Sequence, residues 1–579
     1  MKSAVSHLLL LGLSISLLGS GFFLPETTPK PYDSTISLHP GFPISEPKMI
    51  DFSSPSVYDV NQDGKPEILI GALGGCVWAW DSKGEVLPNF PVSAWGDCDN
   101  SNRLNGPLAI GDVNGDGAPE IIAGTAGPGY TPGKLGRVAV WDGAGKQLPG
   151  WPREMDWSGI DSHGQAEVYS VTLGDMTGDA DLEVIAGTSN NASEGVGDIN
   201  ADIPNAYVYR GDGTTIPGFP TGYRRAGVYG QMAAGDLYGD KHVELVVARD
   251  HHWFHIYDGN GKEPKGFPVE TFVEPEPSPT GHWIEYTRNA PSIGDLNADG
   301  VPEIVVVGRV RTADKSTGRP VINSALLVIE PDGNRPKGWK TAKLGDRAPL
   351  PGGFAPSEAP SLADINGDGN LEVVVGMADG TLRAYAANGD MLWKVNFAKG
   401  RHLFSSEPVI GDVDGDGKLD IVYGLYSPDR TADDAAGIYA VNAEGHSLPG
   451  FPLKLTEEGS TIKGVRASPT LADFDQDCKL EIIAGSRSGT VYAWDLQAAY
   501  NTDLLPWPTG RHDNQRSGTV GTQDGYYGRS GPQPQPATTY LHHNPFLETL
   551  IRDLHIFTPA LFGPPKSSPL NSTALECNS

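Results

Sequence analysis

One nine-residue acidic pattern recurs eight times along the chain, beginning at Asp59, Asp112, Asp175, Asp236, Asp295, Asp364, Asp412 and Asp473. The first copy reads Asp-Val-Asn-Gln-Asp-Gly-Lys-Pro-Glu, and successive copies start 48 to 69 residues apart. Each copy precedes a short β-branched run, such as Ile68-Leu-Ile, and then a second run with aromatic alternation, such as Val77-Trp-Ala-Trp. This order is typical of a strand–loop–strand unit repeated at the spacing of propeller blades.

The repeat also predicts how the units assemble. Each one supplies four short antiparallel strands separated by turn residues, which is the content of one propeller blade. A single blade cannot bury both of its faces, so it needs neighbours around a closed ring. The sequence therefore predicts an all-β, eight-bladed β-propeller of four-stranded antiparallel blades. A seven-bladed ring is the alternative, if one divergent copy belongs to an elaborated connection.

The side chains of the pattern suit a hard metal ion. Carboxylates or amides occupy positions 1, 3 and 5, glycine allows a sharp bend at position 6, and a carboxylate occupies position 9. With the position 7 carbonyl pointing inward, these oxygen ligands favour Ca²⁺ over ions that prefer nitrogen or sulfur. A single copy is compatible with an Asx turn alone. Eight copies in register indicate calcium sites.

The copies differ in how well they fit, and we expect about six to seven Ca²⁺ ions. Tyr238 and Lys241 argue against a site in blade 4, whereas blade 3 has Thr177 and Ala180 at positions 3 and 6, and blade 8 has Cys478 at position 6. The predicted ligands are Asp59, Asn61, Asp63, Lys65, Glu67, Asp112, Asn114, Asp116, Ala118, Glu120, Asp175, Thr177, Asp179, Asp181, Glu183, Asp295, Asn297, Asp299, Val301, Glu303, Asp364, Asn366, Asp368, Asn370, Glu372, Asp412, Asp414, Asp416, Lys418, Asp420, Asp473, Asp475, Asp477, Lys479 and Glu481.

The charge balance agrees with metal binding and excludes one class of partner. The chain has 72 acidic and 43 basic side chains, and 27 of the acidic ones lie within the eight nonapeptides. Because the excess acidity is concentrated in the loops, it serves as ligand more than as a surface field. Binding of nucleic acid through phosphate neutralisation is not expected for so acidic a chain.

The chain divides into four predicted segments. Residues 1–24 have the basic start, apolar run and small residues of a secretory signal peptide, with an uncleaved anchor as the alternative. We expect an N-terminal linker at 25–39, the propeller at 40–520 and a disordered Pro-, Ser- and Thr-rich tail at 521–579. The predicted location is secreted, periplasmic or cell surface, with no membrane span after signal removal.

The repeats resemble the FG-GAP or VCBS repeat family, which includes the integrin α-subunit propeller, across residues 40–520. The closing stretch from Trp507 to Gly518 is similar to the end of many bacterial propellers of this kind. The resemblance implies calcium in the loop between the first two strands of a blade. It also implies a role in adhesion or ligand recognition.

The connections opposite the acidic loops are expected to bind the ligand, because long insertions concentrate there. Aromatic side chains beside cationic ones suit a glycan or an acidic polymer, and packing between blades is the alternative. Cys76 and Cys98 also fall on this side and are the expected disulfide pair among the four cysteines, with idle thiols as the alternative. The candidate ligand-binding residues are Trp95, Trp157, Trp283, Arg401, His402 and Arg466.

These features favour a non-catalytic recognition or adhesion module for an extracellular glycan or protein. One alternative is a polysaccharide-active enzyme that resembles rhamnogalacturonan lyases. Such an enzyme needs His402 or Lys463 as a base, close to Arg401 or Arg466. Another alternative is a scaffold subunit of a surface assembly.

Overall fold

Each acidic nonapeptide joins the inner strand of a blade to its second strand. In blade 1 these strands are Ser56–Tyr58 and Glu67–Ala72, and the second strand is buried along its whole length. An apolar run without alternation forms such a strand because neighbouring blades cover both of its faces. Eight antiparallel sheets of this kind are present. The eight-bladed prediction is confirmed, and the seven-bladed alternative is wrong.

The computed structural model describes residues 36–521, all within the unit Ser34–Ser579, apart from short gaps. The described part contains one short 3-10 helix, Thr502–Leu504, and no helix long and apolar enough to cross a membrane. The gaps are 46, 99–101, 105, 127–135, 156–166, 190–201, 225, 251, 274–282, 287–288, 314–319, 346–358, 428–432, 457–459 and 461.

The first four blades follow one plan, with strands ordered from the axis outward. Blade 1 comprises Ser56–Tyr58, Glu67–Ala72, Cys76–Trp80 and Val92–Ser93. Blade 2 comprises Ala109–Gly111, Glu120–Thr125, Arg137–Trp141 and Arg153–Glu154. Blade 3 comprises Val168–Gly174, Glu183–Thr188, Pro204–Tyr209 and Thr221–Gly222. Blade 4 comprises Ala233–Gly235, Glu244–Arg249, Trp253–Tyr257 and Val269–Glu270.

The later blades keep this plan, and blades 5 and 7 add a short strand that pairs with the second strand. Blade 5 comprises Ile284–Glu285, Ser292–Gly294, Glu303–Ala313, Pro320–Ile329 and Lys343–Leu344. Blade 6 comprises Ser361–Ala363, Glu372–Met377, Thr381–Tyr385 and Met391–Asn396. Blade 7 comprises Phe404–Ser405, Val409–Gly411, Asp420–Tyr426, Gly437–Asn442 and Leu453–Lys454. Blade 8 comprises Thr470–Ala472, Lys479–Gly485, Val491–Ala499 and Ser37–Leu38.

The outer strand of blade 8 comes from the other end of the chain. Ser37 pairs with Asp495 and Leu38 with Trp494, both in antiparallel register. This strand precedes residue 40, where we placed the start of the propeller. The ring is thus closed by a sheet that contains both an early and a late segment of the chain.

Hydrophobic clusters lie between blades instead of at a single centre. One cluster, for example, joins Ile50, Val57 and Ile70 of the first blade region to Phe474 and Ile483 of the eighth. Similar clusters connect the other neighbouring blades around the ring. Because each cluster is shared by adjacent blades, burial of apolar surface depends on ring closure.

A final segment, Leu505–Gly521, contacts the inner strands around the axis and is called the closing segment below. Its backbone carbonyl oxygens accept hydrogen bonds from backbone N–H groups in the inner strands of six blades, with N···O distances of 2.8–2.9 Å. These bonds satisfy donors that have no partner within their own blade. The donor and acceptor pairs are Ile410 with Trp507, Leu471 with Pro508, Ile110 with Asn514, Leu173 with Gln515, Ala234 with Ser517, and Ile293 with Gly518.

Arg516 ties the closing segment to the first two blades. Its side chain is fully buried and donates to the carbonyl oxygens of Leu108 at 2.6 Å, Gly510 at 2.7 Å and Pro55 at 3.3 Å. It also donates to the hydroxyl of Ser56. A buried guanidinium with several acceptors is costly to remove, because the acceptors lose their partner while still shielded from water.

We expect Arg516→Met to lower the free energy of unfolding by about 3 kcal/mol, because it leaves buried carbonyls unsatisfied. Arg401→Met is the matched control. Arg401 is half exposed with one ion pair to Asp433, so its loss should cost below about 1 kcal/mol. Urea unfolding of both variants measures the difference. Equal midpoints for the two variants would contradict this role of Arg516.

Candidate functional site

The carboxylate at position 9 closes every acidic loop. In all eight blades it accepts the backbone N–H of position 2, at 2.8–3.1 Å. In blades 1 to 7 the acceptor also begins the second strand, so the bond fixes where the loop ends; in blade 8 the strand begins two residues earlier, at Lys479. The pairs are Val60 with Glu67, Val113 with Glu120, Met176 with Glu183, Leu237 with Glu244, Leu296 with Glu303, Ile365 with Glu372, Val413 with Asp420, and Phe474 with Glu481.

The aspartate at position 1 holds the bend. Its side chain accepts the N–H of position 6 in every blade, at 2.8–3.2 Å. Position 6 has a positive φ throughout, including 73° at Ala180, 70° at Lys241 and 67° at Cys478, where glycine is missing. These three side chains adopt a backbone conformation that favours glycine, so their loops keep the shape at some cost in strain.

Three loops concentrate carboxylates most closely. One oxygen from each of three acidic side chains lies within 4.8 Å of the others in blades 1, 7 and 8, which are neighbours in the ring. Such a spacing suits an ion held by carboxylate oxygens. The three groups are Asp59, Asp63 and Glu67; Asp412, Asp414 and Asp420; and Asp473, Asp475 and Glu481.

The protonation behaviour of these acids shows why a cation fits. Burial raises the pKa of Glu67 to about 8, and the charges of Asp59 and Asp63 act in the same direction. Burial likewise raises the pKa of Asp420 to about 8 and that of Glu481 to about 10, again with neighbouring aspartates adding to the effect. Ionised carboxylates are therefore unfavourable here without a positive charge. A divalent cation would supply that charge where the oxygens already converge.

Loops with asparagine at position 3, which include that of blade 1, are less acidic than the loops of blades 7 and 8, which have aspartate there. In blade 2 the amide nitrogen of Asn114 donates to Glu120 at 2.7 Å, and in blade 5 that of Asn297 donates to Glu303 at 2.6 Å. Burial still raises the pKa of Glu120 to about 7. These loops retain the same oxygen order but hold three carboxylates instead of four, which predicts weaker cation binding than in blades 7 and 8.

Position 7 contributes to the turn through its backbone. The N–H groups of Lys65, Ala118, Asp181, Val301 and Asn370 donate to the position 5 side chain, at 2.9–3.2 Å. Those of Lys418 and Lys479 do the same at 2.8 Å. One carboxylate oxygen at position 5 therefore fixes the turn, which leaves the second oxygen as the candidate metal ligand.

Blades 3 and 4 depart from the pattern as their sequences indicated. The hydroxyl of Thr177 donates to Glu183 at 3.3 Å. The ring of Tyr238 leaves the loop, because its hydroxyl donates to the carbonyl of Pro331 at 3.2 Å. Blade 4 thus has no side-chain oxygen at position 3 of its loop, although Glu244 and Asp236 still hold the turn.

The predicted ligand-face residues are spread over several blades. Trp95 lies under the Arg137 guanidinium at 3.9 Å, Trp283 is 38% exposed, and Arg401 pairs with Asp433 at 2.6 Å. His402 meets Phe404 edge to face at 5.3 Å between ring centroids. Arg466 is buried and binds both carboxylate oxygens of Asp51, at 3.1 and 3.2 Å. Trp157 lies outside the described residues.

A cavity opens at the axis on the side opposite the acidic loops. It has about 50 Å³ of room for the centres of water-sized molecules, or about 520 Å³ of empty space when the open solvent at its mouth is counted. Residues from seven of the blades line it. Sequence reasoning found Arg466 but missed its neighbours, since residues from distant repeats converge only when the ring closes. The principal lining side chains are Phe52, Tyr169, Tyr229, Glu407, Arg466 and Arg511.

Glu407 of blade 7 and Arg511 of the closing segment both line this cavity. Glu407 is buried and accepts the indole N–H of Trp507 at 3.0 Å and the backbone N–H of Arg511 at 2.8 Å. Burial raises the pKa of this carboxyl, although the charge of Arg511 opposes the shift. Arg401, His402 and Lys463 are not among the lining residues. The base and arginine that the enzyme alternative requires are therefore not assembled with Arg466 in this cavity.

Cys76 and Cys98 form a disulfide with a Cα–Cα distance of 5.5 Å. Cys76 begins the third strand of blade 1, and Cys98 lies in the connection toward blade 2. Cys478 is also disulfide-bonded. The idle-thiol alternative is therefore wrong for these three residues.

Residues 364–423 match the family model described as an FG-GAP-like repeat, a span that contains two of the acidic loops. A comparison with curated proteins finds no match. Similar solved structures include Sqt1 from Saccharomyces cerevisiae, at 11% identity and TM-score 0.46, covering 79% of this chain and 99% of that one. The quinohemoprotein alcohol dehydrogenase from Pseudomonas putida HK5 is also similar, at 14% identity and TM-score 0.41, covering 68% of this chain and 67% of that one. The enzyme from Comamonas testosteroni is similar at 13% identity and TM-score 0.36, covering 81% of this chain and 78% of that one.

Blade 4 allows the closing carboxylate to be tested apart from metal binding. We expect Glu244→Ala to destabilise the protein by roughly 1–3 kcal/mol, because the buried N–H of Leu237 loses its acceptor. Glu244→Gln keeps an acceptor oxygen and should recover most of this loss. Denaturant unfolding with and without Ca²⁺ measures both effects. A loss that vanishes when Ca²⁺ is removed would contradict a metal-independent role.

Proposed function

We propose that this protein is a calcium-stabilised extracellular recognition module that binds a glycan or protein on the face opposite its acidic loops. The axial cavity is the observation that carries the proposal, because connections leading into seven blades supply its lining. Aromatic and charged side chains both line it, which is typical of sites with a few oriented polar groups on an apolar wall. The acidic loops stabilise the scaffold, and the opposite connections bind the ligand.

The donor set supports calcium as the stabilising ion. The oxygens of Asp59, Asp63 and Glu67 would hold one ion, and blades 7 and 8 offer equivalent groups. Bound Ca²⁺ would neutralise charges that now repel and would join the loop to the start of the second strand. Extracellular modules bind Ca²⁺ with dissociation constants on the order of 10⁻⁴–10⁻³ M. A signal peptide at residues 1–24 would deliver the chain to a compartment where such sites fill.

Calcium should raise the midpoint of thermal unfolding, and EDTA should reverse the shift. A hundredfold excess of ligand over its dissociation constant stabilises by about 2.7 kcal/mol per site. Asp63→Asn should reduce the calcium-induced shift, because it removes one carboxylate from the blade 1 group. The measurement is differential scanning fluorimetry across a Ca²⁺ titration.

Asp240→Asn in blade 4 is the matched control. Asp240 and Asp63 both occupy position 5 and both accept one backbone N–H in the turn, at 3.0 and 2.9 Å. An asparagine can replace that bond in either loop, so the two variants differ only in the expected metal site. We expect Asp240→Asn to leave the calcium shift unchanged. Absence of any EDTA effect on the wild type would overturn the calcium proposal.

Tyr229→Ala should weaken ligand binding, because it removes an aromatic wall of the axial cavity. Tyr238→Ala is the control, since Tyr238 is 46% exposed and belongs to an acidic loop on the other face. Binding to a glycan array and to a cell-envelope fraction, in the presence of Ca²⁺, provides the measurement. We expect a loss of about tenfold or more for Tyr229→Ala alone.

Other outcomes of this experiment distinguish the alternatives. Saturable turnover of a polysaccharide would replace the recognition proposal with an enzymatic one. Co-purification with a fixed protein partner, without glycan binding, would favour the scaffold alternative. Equal losses in the two tyrosine variants would contradict the assignment of the binding face.

A further inference from the structure

Four aromatic rings form a continuous row on the face opposite the acidic loops, across blades 3 to 5. The row consists of Tyr223, Trp253, His252 and Trp283 and is called the aromatic row. Adjacent ring centroids are 5.0, 5.5 and 4.7 Å apart. Three separate parts of the chain supply the rings, so the row exists only in the folded propeller.

The row remains accessible to solvent instead of forming part of the core. Trp283 is 38% exposed although His252 stacks on one of its faces with an interplanar angle of 13°. Tyr223, Trp253 and His252 are each half-buried. Phe272 also lies near the Trp283 ring, at 6.5 Å between centroids, yet more than a third of Trp283 stays accessible.

Polar groups border the aromatic row in fixed positions. The Arg224 guanidinium lies 4.8 Å from the Trp253 ring and 5.2 Å from the Tyr223 ring. The Glu270 carboxylate contacts the His252 ring nitrogen at 3.0 Å. His252 and Arg224 both have a positive φ, of 68° and 40°. Residues held in this conformation are strained, and such strain concentrates where side chains are positioned for binding.

The chemistry of this surface fits a carbohydrate. Sugar rings have apolar C–H faces that stack on aromatic rings and hydroxyl edges that exchange hydrogen bonds with charged side chains. The rings are inclined to one another, by 62° between Tyr223 and Trp253 and by 32° between His252 and Trp253. A sugar would therefore stack on the exposed Trp283, and the chain would continue along the edges of the other rings. Arg224 donates hydrogen bonds and Glu270 accepts them, so both types of hydroxyl interaction are available.

Charge complementarity favours a neutral glycan over an acidic one. The row has a cation and a carboxylate at its border, and the backbone N–H of Arg224 is bound by the Asp202 side chain at 3.0 Å. Glu270 and Asp202 thus place two carboxylates beside one guanidinium. A polyanion would meet repulsion from this local pair of carboxylates, whereas a neutral polysaccharide would not.

We propose that the aromatic row is a stacking platform for a neutral glycan chain, distinct from the lining of the axial cavity. This inference rests on the proposed recognition function and adds to it a ligand class and a second binding surface beside the cavity. Trp283 provides the stacking surface, and the row continues through His252 to Trp253. Arg224 and Glu270 bind the hydroxyl groups at the border.

Affinity electrophoresis and glycan arrays test the proposal. The neutral polymers are β-glucan, xylan and galactomannan, and polygalacturonate is the acidic comparison. The calcium-loaded full chain should bind a neutral polymer, and Trp283→Ala should weaken that binding by about tenfold. Trp283→Phe retains a ring and should recover most of the affinity. Trp393→Ala is the control, because Trp393 lies in the outer strand of blade 6, away from the row, and its indole bonds Ala443.

The outcomes separate this inference from the function on which it rests. Binding of polygalacturonate alone, or unchanged neutral-glycan affinity in Trp283→Ala, would overturn the platform and leave the recognition function standing. Binding of a protein without any glycan would do the same. Absence of any ligand for the wild type, from glycan array or envelope fraction, would overturn both. Unchanged thermal midpoints in the variants would show that lost affinity reflects the missing ring and not unfolding.

Discussion

The inner strand of every blade has a neighbour on one side only, and its other edge faces the axis. Backbone donors on that edge are shielded from water, so they need partners that no blade supplies by itself. The closing segment provides these partners for six blades, with Arg516 adding contacts to the first two. The ring, the clusters between blades and the axial cavity all depend on this central set of hydrogen bonds.

The shape of the acidic loops does not depend on a complete set of metal ligands. Each loop holds its bend through the same two contacts, one from position 1 and one from position 9, whether or not it retains a full ligand set. Blade 4 shows this clearly, since Asp236 and Glu244 keep the turn while Tyr238 points elsewhere. Loop geometry and metal affinity are therefore separable, and the three loops whose carboxylates lie closest together are neighbours at the point where the ring closes.

The period of the pattern was sufficient to predict eight blades, because each copy fixes two strands and the turn between them. The placement of both cysteines on the side opposite the acidic loops also made Cys76 and Cys98 the expected disulfide pair. The axial cavity was not predictable in the same way. Tyr169, Tyr229 and Glu407 occupy unremarkable positions in their own repeats, and only ring closure brings them together. The pairing of Arg466 with Asp51 likewise joins residues 415 positions apart, which no local pattern reveals.

The strand Ser37–Leu38 has a consequence for the order in which the molecule forms. Nearby His39 bonds Asp495 at 2.7 Å, across 456 positions of sequence. During synthesis the outer strand of blade 8 emerges before blade 1, and the other three strands of blade 8 emerge only after blade 7. Intermediate blades can form as they emerge, but the circle stays open with two unpaired edges until the last strands arrive. Late, long-range closure of this kind makes folding slow and leaves those edges vulnerable to other chains in the meantime.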